Sequence, residues 1–140
     1  MIESNPVYYR KGDYKYQLTR DWIFQTRLRP DHDIETEFIN LTTSGLMTLK
    51  TAYACDGVSG PAINTKTNRR AAFYHDGGYQ LIRGGYLPYE CREILDLEFR
   101  DICIKDGMRR WRAWGHYQGV RLGGGPAAST KARKKELTAP

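Results

Sequence analysis

Cysteine is scarce and odd in number: Cys55, Cys91 and Cys103 are the only three in 140 residues, and none forms a C-x-x-C pair. Neither a secreted disulfide framework nor a zinc finger is expected from that, whereas reduced thiols suit a cytosolic chain. Long apolar runs are also missing. Nothing approaches the roughly 18 consecutive apolar residues of a membrane span, and Met1 to Arg10 is too polar for a signal peptide, so soluble cytoplasmic synthesis is expected. Acidic residues are absent from Gly107 to Lys135, which holds eight basic ones and leaves 14 basic against 16 acidic elsewhere. The formal net charge of +6 therefore belongs to one end of the chain and does not mark the whole fold as a nucleic-acid binder. Beyond Gly123 large apolar residues nearly vanish, and Gly-Gly-Gly-Pro-Ala-Ala-Ser-Thr opens a segment unable to build a core.

What is present suits one soluble domain, with 40% hydrophobic and 27% charged residues. At this size about two thirds of the unfolded chain's surface is buried on folding, so no disulfide or structural metal is needed. Tyr14 to Leu18 and Trp22 to Leu28 are rich in aromatic and β-branched residues; they read as strands that pair with each other. Ile34 to Leu41 and Leu46 to Ala54 flank Thr42-Thr43-Ser44-Gly45 and form a hairpin. From Asn68 the period changes to three and four, through Ala71, Ala72, His75, Tyr79 and Ile82, until Gly84-Gly85 stops a first helix. A second helix runs from about Tyr89 to Lys105, ended by Asp106-Gly107. Trp111, Trp114, Tyr117 and Val120 mark a third, read as a core-facing aromatic seam beside snorkelling arginines, with an interfacial membrane helix as the alternative. The expected fold class is α+β, an antiparallel sheet followed by three packed helices over residues 1–122, with an extended basic tail over 123–140.

Chemistry concentrates in His75-Asp76-Gly77-Gly78-Tyr79. Two glycines inside a helix cost about 1 kcal/mol each against alanine, which the close approach of another backbone would explain. His75 and Tyr79 share one helical face, and Asp76 points about 100° away. A short connection makes the first two helices antiparallel, so Asp96 on the second can reach the imidazole. The pair serves either as an oriented general base or as a buried histidine satisfied by a carboxylate. His32, between Asp31 and Asp33, reads as an exposed loop residue rather than a metal ligand, and His116 as a satisfied histidine at a helix surface. The tail residues Lys131, Arg133, Lys134 and Lys135 are either solvated or a docking arm for an acidic partner, ahead of nucleic acid.

The strings Y-A-C-D-G-V-S-G-P, A-A-F-Y-H-D-G-G-Y, L-D-L-E-F and W-G-H-Y-Q-G-V-R-L-G-G, spread over about Tyr14 to Gly124, resemble domain of unknown function 1353 of tailed phages and prophages. That resemblance implies a phage protein made in the bacterial host cytoplasm, incorporated in the virion, and docked on other virion subunits through its tail. The order of Gly-rich loop, His-Asp-x-x-Tyr helix and Asp-x-x-Phe is also similar, more distantly, to phospholipases of the A-two type. This second resemblance implies a hydrolase acting on lipid or cell envelope, with His75 as general base, Asp96 orienting it and Tyr79 bonded to Asp96. It further implies calcium held by Asp76 and by the loop, with Gly57 and Ser59 as the loop positions; the family's Tyr-Gly-x-Gly calcium loop is not reproduced.

Overall fold

The computed structural model of the chain describes residues 16–55 and 67–128. Their elements run β1 (Tyr16–Gln17), β2 (Trp22–Gln25), β3 (Ile34–Glu35), β4 (Ile39–Leu41), β5 (Leu46–Leu49), β6 (Ala54–Cys55), α1 (Arg69–Arg83), α2 (Cys91–Lys105) and α3 (Arg110–Ala128). The fold class is α+β: antiparallel sheets come first and three helices follow. The described residues divide into two compact units, a β unit over 16–55 and a helical unit over 67–128.

In the β unit, β2, β5, β4 and β3 form a four-stranded antiparallel sheet in that order, and β1 pairs with β6. Alternation selects the buried face. Trp22 and Phe24 lie opposite Leu49 and Met47, which in turn lie opposite Ile39 and Leu41, and all six are buried. Ile23, between the first two, points to solvent, as a period of two requires. The Thr42–Gly45 hairpin forms as expected, closed by bonds from Gly45 N–H to the Thr42 carbonyl and from Thr42 N–H to the Leu46 carbonyl.

The expected pairing of the first two strands does not occur. Tyr16 lies opposite Cys55 and Trp22 opposite Leu49, so β1 and β2 are two stretches of one arm, running antiparallel to residues 46–55 in unbroken register. The arm is interrupted at Leu18 to Asp21, where Leu18 still exchanges bonds of 2.8 and 2.9 Å with Ala52 and Tyr53. The Asp21 carboxylate accepts from both the N–H and the hydroxyl of Thr51, at 2.7 and 2.9 Å, and bridges the gap. Ile34 to Leu41 likewise breaks in two, because Thr36 bonds Ile39 through backbone and hydroxyl and folds β3 onto β4.

In the helical unit, α1 and α2 end where glycine allows it. Gly85 and Gly107 adopt φ of +82° and +107°. At each, the glycine N–H and the one after it reach back to carbonyls of the last turn: Gly85 to Ile82 and Tyr86 to Leu81, then Gly107 to Ile104 and Met108 to Cys103. A side chain at either position would strain this termination. Contacts pair the end of one helix with the start of the next, Arg70 with Asp106 and Tyr79 with Arg92, so α1 and α2 are antiparallel. Ala71, Phe99, Cys103, Met108 and Ala113 form the core among the three helices. None of the three cysteines is in a disulfide; Cys103 is buried, and burial pushes its thiol up to about 12.

Three expectations are corrected here. Gly78 faces a side chain, not a backbone: a Cβ there would collide with the Leu95 methyls, Cδ1 lying at 2.7 Å. The aromatic seam of α3 does not face the core, since Trp111 is 73% and Trp114 48% exposed while Ala113 is buried. Steps of three residues turn a helix by about −60° each, so Trp111 and Tyr117 lie about 120° apart and cannot share a narrow face. Finally, α3 stays helical to Ala128, through Gly123 to Pro126, where an extended tail was expected to begin. Glycine costs a helix about 1 kcal/mol per residue, which weakens propagation without forbidding it. Lys131, Arg133, Lys134 and Lys135 lie outside the described residues, as do Gly57 and Ser59.

The glycines of α1 and α3 should therefore respond oppositely to substitution. At Gly119 a Cβ meets nothing within 4 Å, so Gly119→Ala should raise stability by about 0.5–1 kcal/mol. Gly78→Val should lower it by about 1–3 kcal/mol through overpacking against fully buried Leu95. Urea midpoints of the two variants check the signs.

Candidate functional site

Asp96 is the hub. It lies on the face of α2 turned to α1 and α3, and its side chain is 0% exposed. Tertiary geometry supplies each of its partners. His75 and Tyr79, one turn apart on α1, both reach Oδ1, from His75 Nε2 at 2.6 Å and Tyr79 Oη at 2.6 Å. From α3, Arg121 donates to Oδ2 at 2.9 Å. Arg92, one turn earlier on α2, approaches Oδ2 at 3.8 Å and donates to the Tyr79 hydroxyl at 2.9 Å. Arg92 also donates to the carbonyls of Val120 and Arg121, so the same guanidinium ties α3 to the site.

Burial by itself would raise the Asp96 pKa, but the donors outweigh it: bonds from His75, Tyr79 and Arg121 hold the carboxyl below its ordinary 3.8. An ionised carboxylate only accepts, so the proton in the His75–Asp96 contact belongs to Nε2. Nδ1 of His75 has no hydrogen-bond partner among the described residues, and the imidazole is 13% exposed. Burial, and then the bond to Asp96, push the Tyr79 phenol well above its ordinary 10.0, which leaves it a donor at neutral pH.

Aromatic walls fix the imidazole. The His75 ring lies 4.1 Å from the Tyr79 ring and meets Phe99 at 5.1 Å, edge to face. Phe99 in turn stacks on His116 at 6.2 Å. His116 is half-buried and satisfied: Nδ1 donates to the Arg112 carbonyl at 3.0 Å, and Nε2 lies 3.4 Å from Asn68 Nδ2. His32 is exposed and bonded to Asp31 at 2.6 Å.

Of the residues singled out from the sequence, the structure brings together His75, Asp96 and Tyr79. Asp76 sits half-buried on α1. Among the described residues no group of three or more His, Cys, Asp or Glu side chains is arranged to hold a metal ion. Gly57 and Ser59, the other positions expected around calcium, lie outside the described residues. The sequence reading missed Arg92, Arg121 and Phe99. Arg92 carried a signal, being four residues before Asp96 on the same helix. Arg121 carried none, since its reach to Asp96 depends on how α3 packs. Compared with family models, with curated proteins and with solved structures, the chain matches none.

Proposed function

We propose that the helical unit carries a hydrolytic site in which His75 activates water, on a phage-encoded protein built into the virion. The observation that carries the hydrolytic reading is the 2.6 Å bond between His75 Nε2 and the buried, ionised Asp96, which leaves Nδ1 as the imidazole's proton acceptor. In this reading Nδ1 takes a proton from water as the water oxygen adds to the carbonyl of an ester or amide. Asp96 stabilises the imidazolium that forms, and Nδ1 returns the proton to the leaving group as the bond to carbon breaks. Arg121 and Arg92 keep Asp96 charged throughout, and Tyr79 and Phe99 hold the ring in place. Support for a lipid or cell-envelope substrate comes from the His-Asp-x-x-Tyr and Asp-x-x-Phe order, similar to phospholipases of the A-two type. The virion role rests on resemblance to the phage family, and docking through Lys131, Arg133, Lys134 and Lys135 on sequence alone.

The test is turnover of phospholipid vesicles and of peptidoglycan, with and without calcium. His75→Gln keeps a side-chain donor for Asp96 and removes the base, so it should lower turnover by about 10²–10⁴-fold. Asp76→Ala should abolish any calcium dependence. No turnover of either substrate by the unaltered protein would assign the His75–Asp96 pair to structure.

A further inference from the structure

The outward side of α3 lacks what the solvent face of a helix ordinarily carries. Trp111, Gly115, Gln118 and Leu122 follow at helical spacings of four, three and four, in one line, and all are exposed. None is charged, whereas a solvent face is normally polar and charged. Trp111 is 73% exposed and Leu122 84%, with Trp114 at 48% beside them. A Cβ built on Gly115 or Gly119 meets nothing within 4 Å, so nothing described in this chain covers the line. Arginines border it. Arg109 and Arg110 are exposed at the start of α3, and Arg112 and Arg121 are half-exposed on its flanks. The Arg100 guanidinium lies over the rings of Trp114 and Tyr117, at 4.9 and 5.6 Å, and holds one indole in place.

From this arrangement we infer that α3 is a docking surface for the anionic face of a phospholipid bilayer. The charge pattern chooses the occupant. Between Gly107 and Ala128 there is no acidic residue, and Arg109, Arg110 and Arg112 add to the Arg121 that pairs with Asp96, so a second copy of the helix would be repelled and a phosphate-bearing surface attracted. Arginine and exposed indole would also suit single-stranded nucleic acid. Leu122, in line with Trp111, decides between the two, because an aliphatic side chain adds nothing to base stacking but inserts into acyl chains. Indoles settle at the level of the headgroups. No helix among the described residues is long and apolar enough to cross a membrane, so α3 would lie on the surface with its inner line still packed on the bundle. The inference stands apart from the hydrolytic reading, since it is measured by binding without turnover.

The experiment is flotation of the full chain with vesicles of phosphatidylcholine alone and of equimolar phosphatidylcholine and phosphatidylglycerol, read together with tryptophan emission. Trp22 is buried, so a blue shift on binding reports Trp111 and Trp114. The unaltered protein should float with the anionic vesicles and shift to the blue. The double variant Trp111→Ser, Leu122→Ser should bind at least about tenfold more weakly. It keeps every basic residue, so attachment by charge alone, including that of the tail, would survive it. Equal binding by the variant, failure of the unaltered protein to float, or binding of a single-stranded oligonucleotide without binding of lipid would each overturn the inference. So would concentration-dependent self-association abolished by the double substitution. Unchanged circular dichroism of the variant confirms that two exposed side chains were removed without loss of fold.

Discussion

Replacing Asp96 by alanine should destabilise the helical unit by about 3–5 kcal/mol, the range for breaking a buried ion pair by deleting one partner. The carboxylate is fully buried and receives His75, Tyr79 and Arg121, with Arg92 close by. Its removal leaves the buried Tyr79 hydroxyl without its acceptor and the buried Arg92 guanidinium without its counter-charge, whereas the more exposed Arg121 can turn toward water. Asp96→Ala therefore cannot separate catalysis from folding, and Asp96→Asn is the better probe because it keeps the shape and an accepting oxygen. Asp96→Asn also removes the titration, so its stability and that of the unaltered protein differ in pH dependence. The folded-state pKa of Asp96 is depressed below its ordinary 3.8, so below that pH the unfolded chain binds a proton that the folded chain still refuses. The stability that Asp96 contributes is fully present above this range and is lost as pH falls through the folded-state value. Urea titrations from neutral to strongly acidic pH should show the gap between unaltered protein and Asp96→Asn closing on the acid side. A gap constant down to pH 2 would contradict the depressed pKa.

Truncating Phe99 should cost about 3–5 kcal/mol, as for other fully buried aromatics. Phe99 touches every layer of the helical core: it packs with Ala71, Cys103, Met108 and Ala113 and lies between the rings of His75 and His116. Phe99→Ala removes the wall that holds the His75 imidazole edge-on, so turnover should fall even at temperatures where the variant remains folded. Phe99→Leu refills part of the space and should recover stability ahead of activity. Thermal melting followed by turnover below both midpoints separates the effects. A loss under about 1 kcal/mol would mean that neighbouring residues close the space.

Much of this protein is legible locally. The change of period at Asn68, the stop signals at Gly84-Gly85 and Asp106-Gly107, and the turn at Gly45 place α1, α2 and the β4–β5 hairpin, because each depends on residues a few positions apart. The same holds for His75 and Tyr79, one turn apart, and for Asp96 on an antiparallel neighbour reached by a short connection. The rest depends on partners that local pattern does not name. β1 could pair with its neighbour in sequence or with β6, and the choice falls to β6 because the arm from Tyr16 to Gln25 keeps one register against residues 46–55. On α3 the aromatic spacing suits several faces, and the buried one is chosen where Ala113 allows close packing against Phe99 and Cys103. The tryptophans are left outside as a consequence. Arg121 meets Asp96 only once α3 is docked, so the charge balance at the centre of the site is a property of three helices together. Periodicity shows which face of an element can be buried; the free energy that selects its partner comes from contacts far apart along the chain, which form only when the whole unit closes.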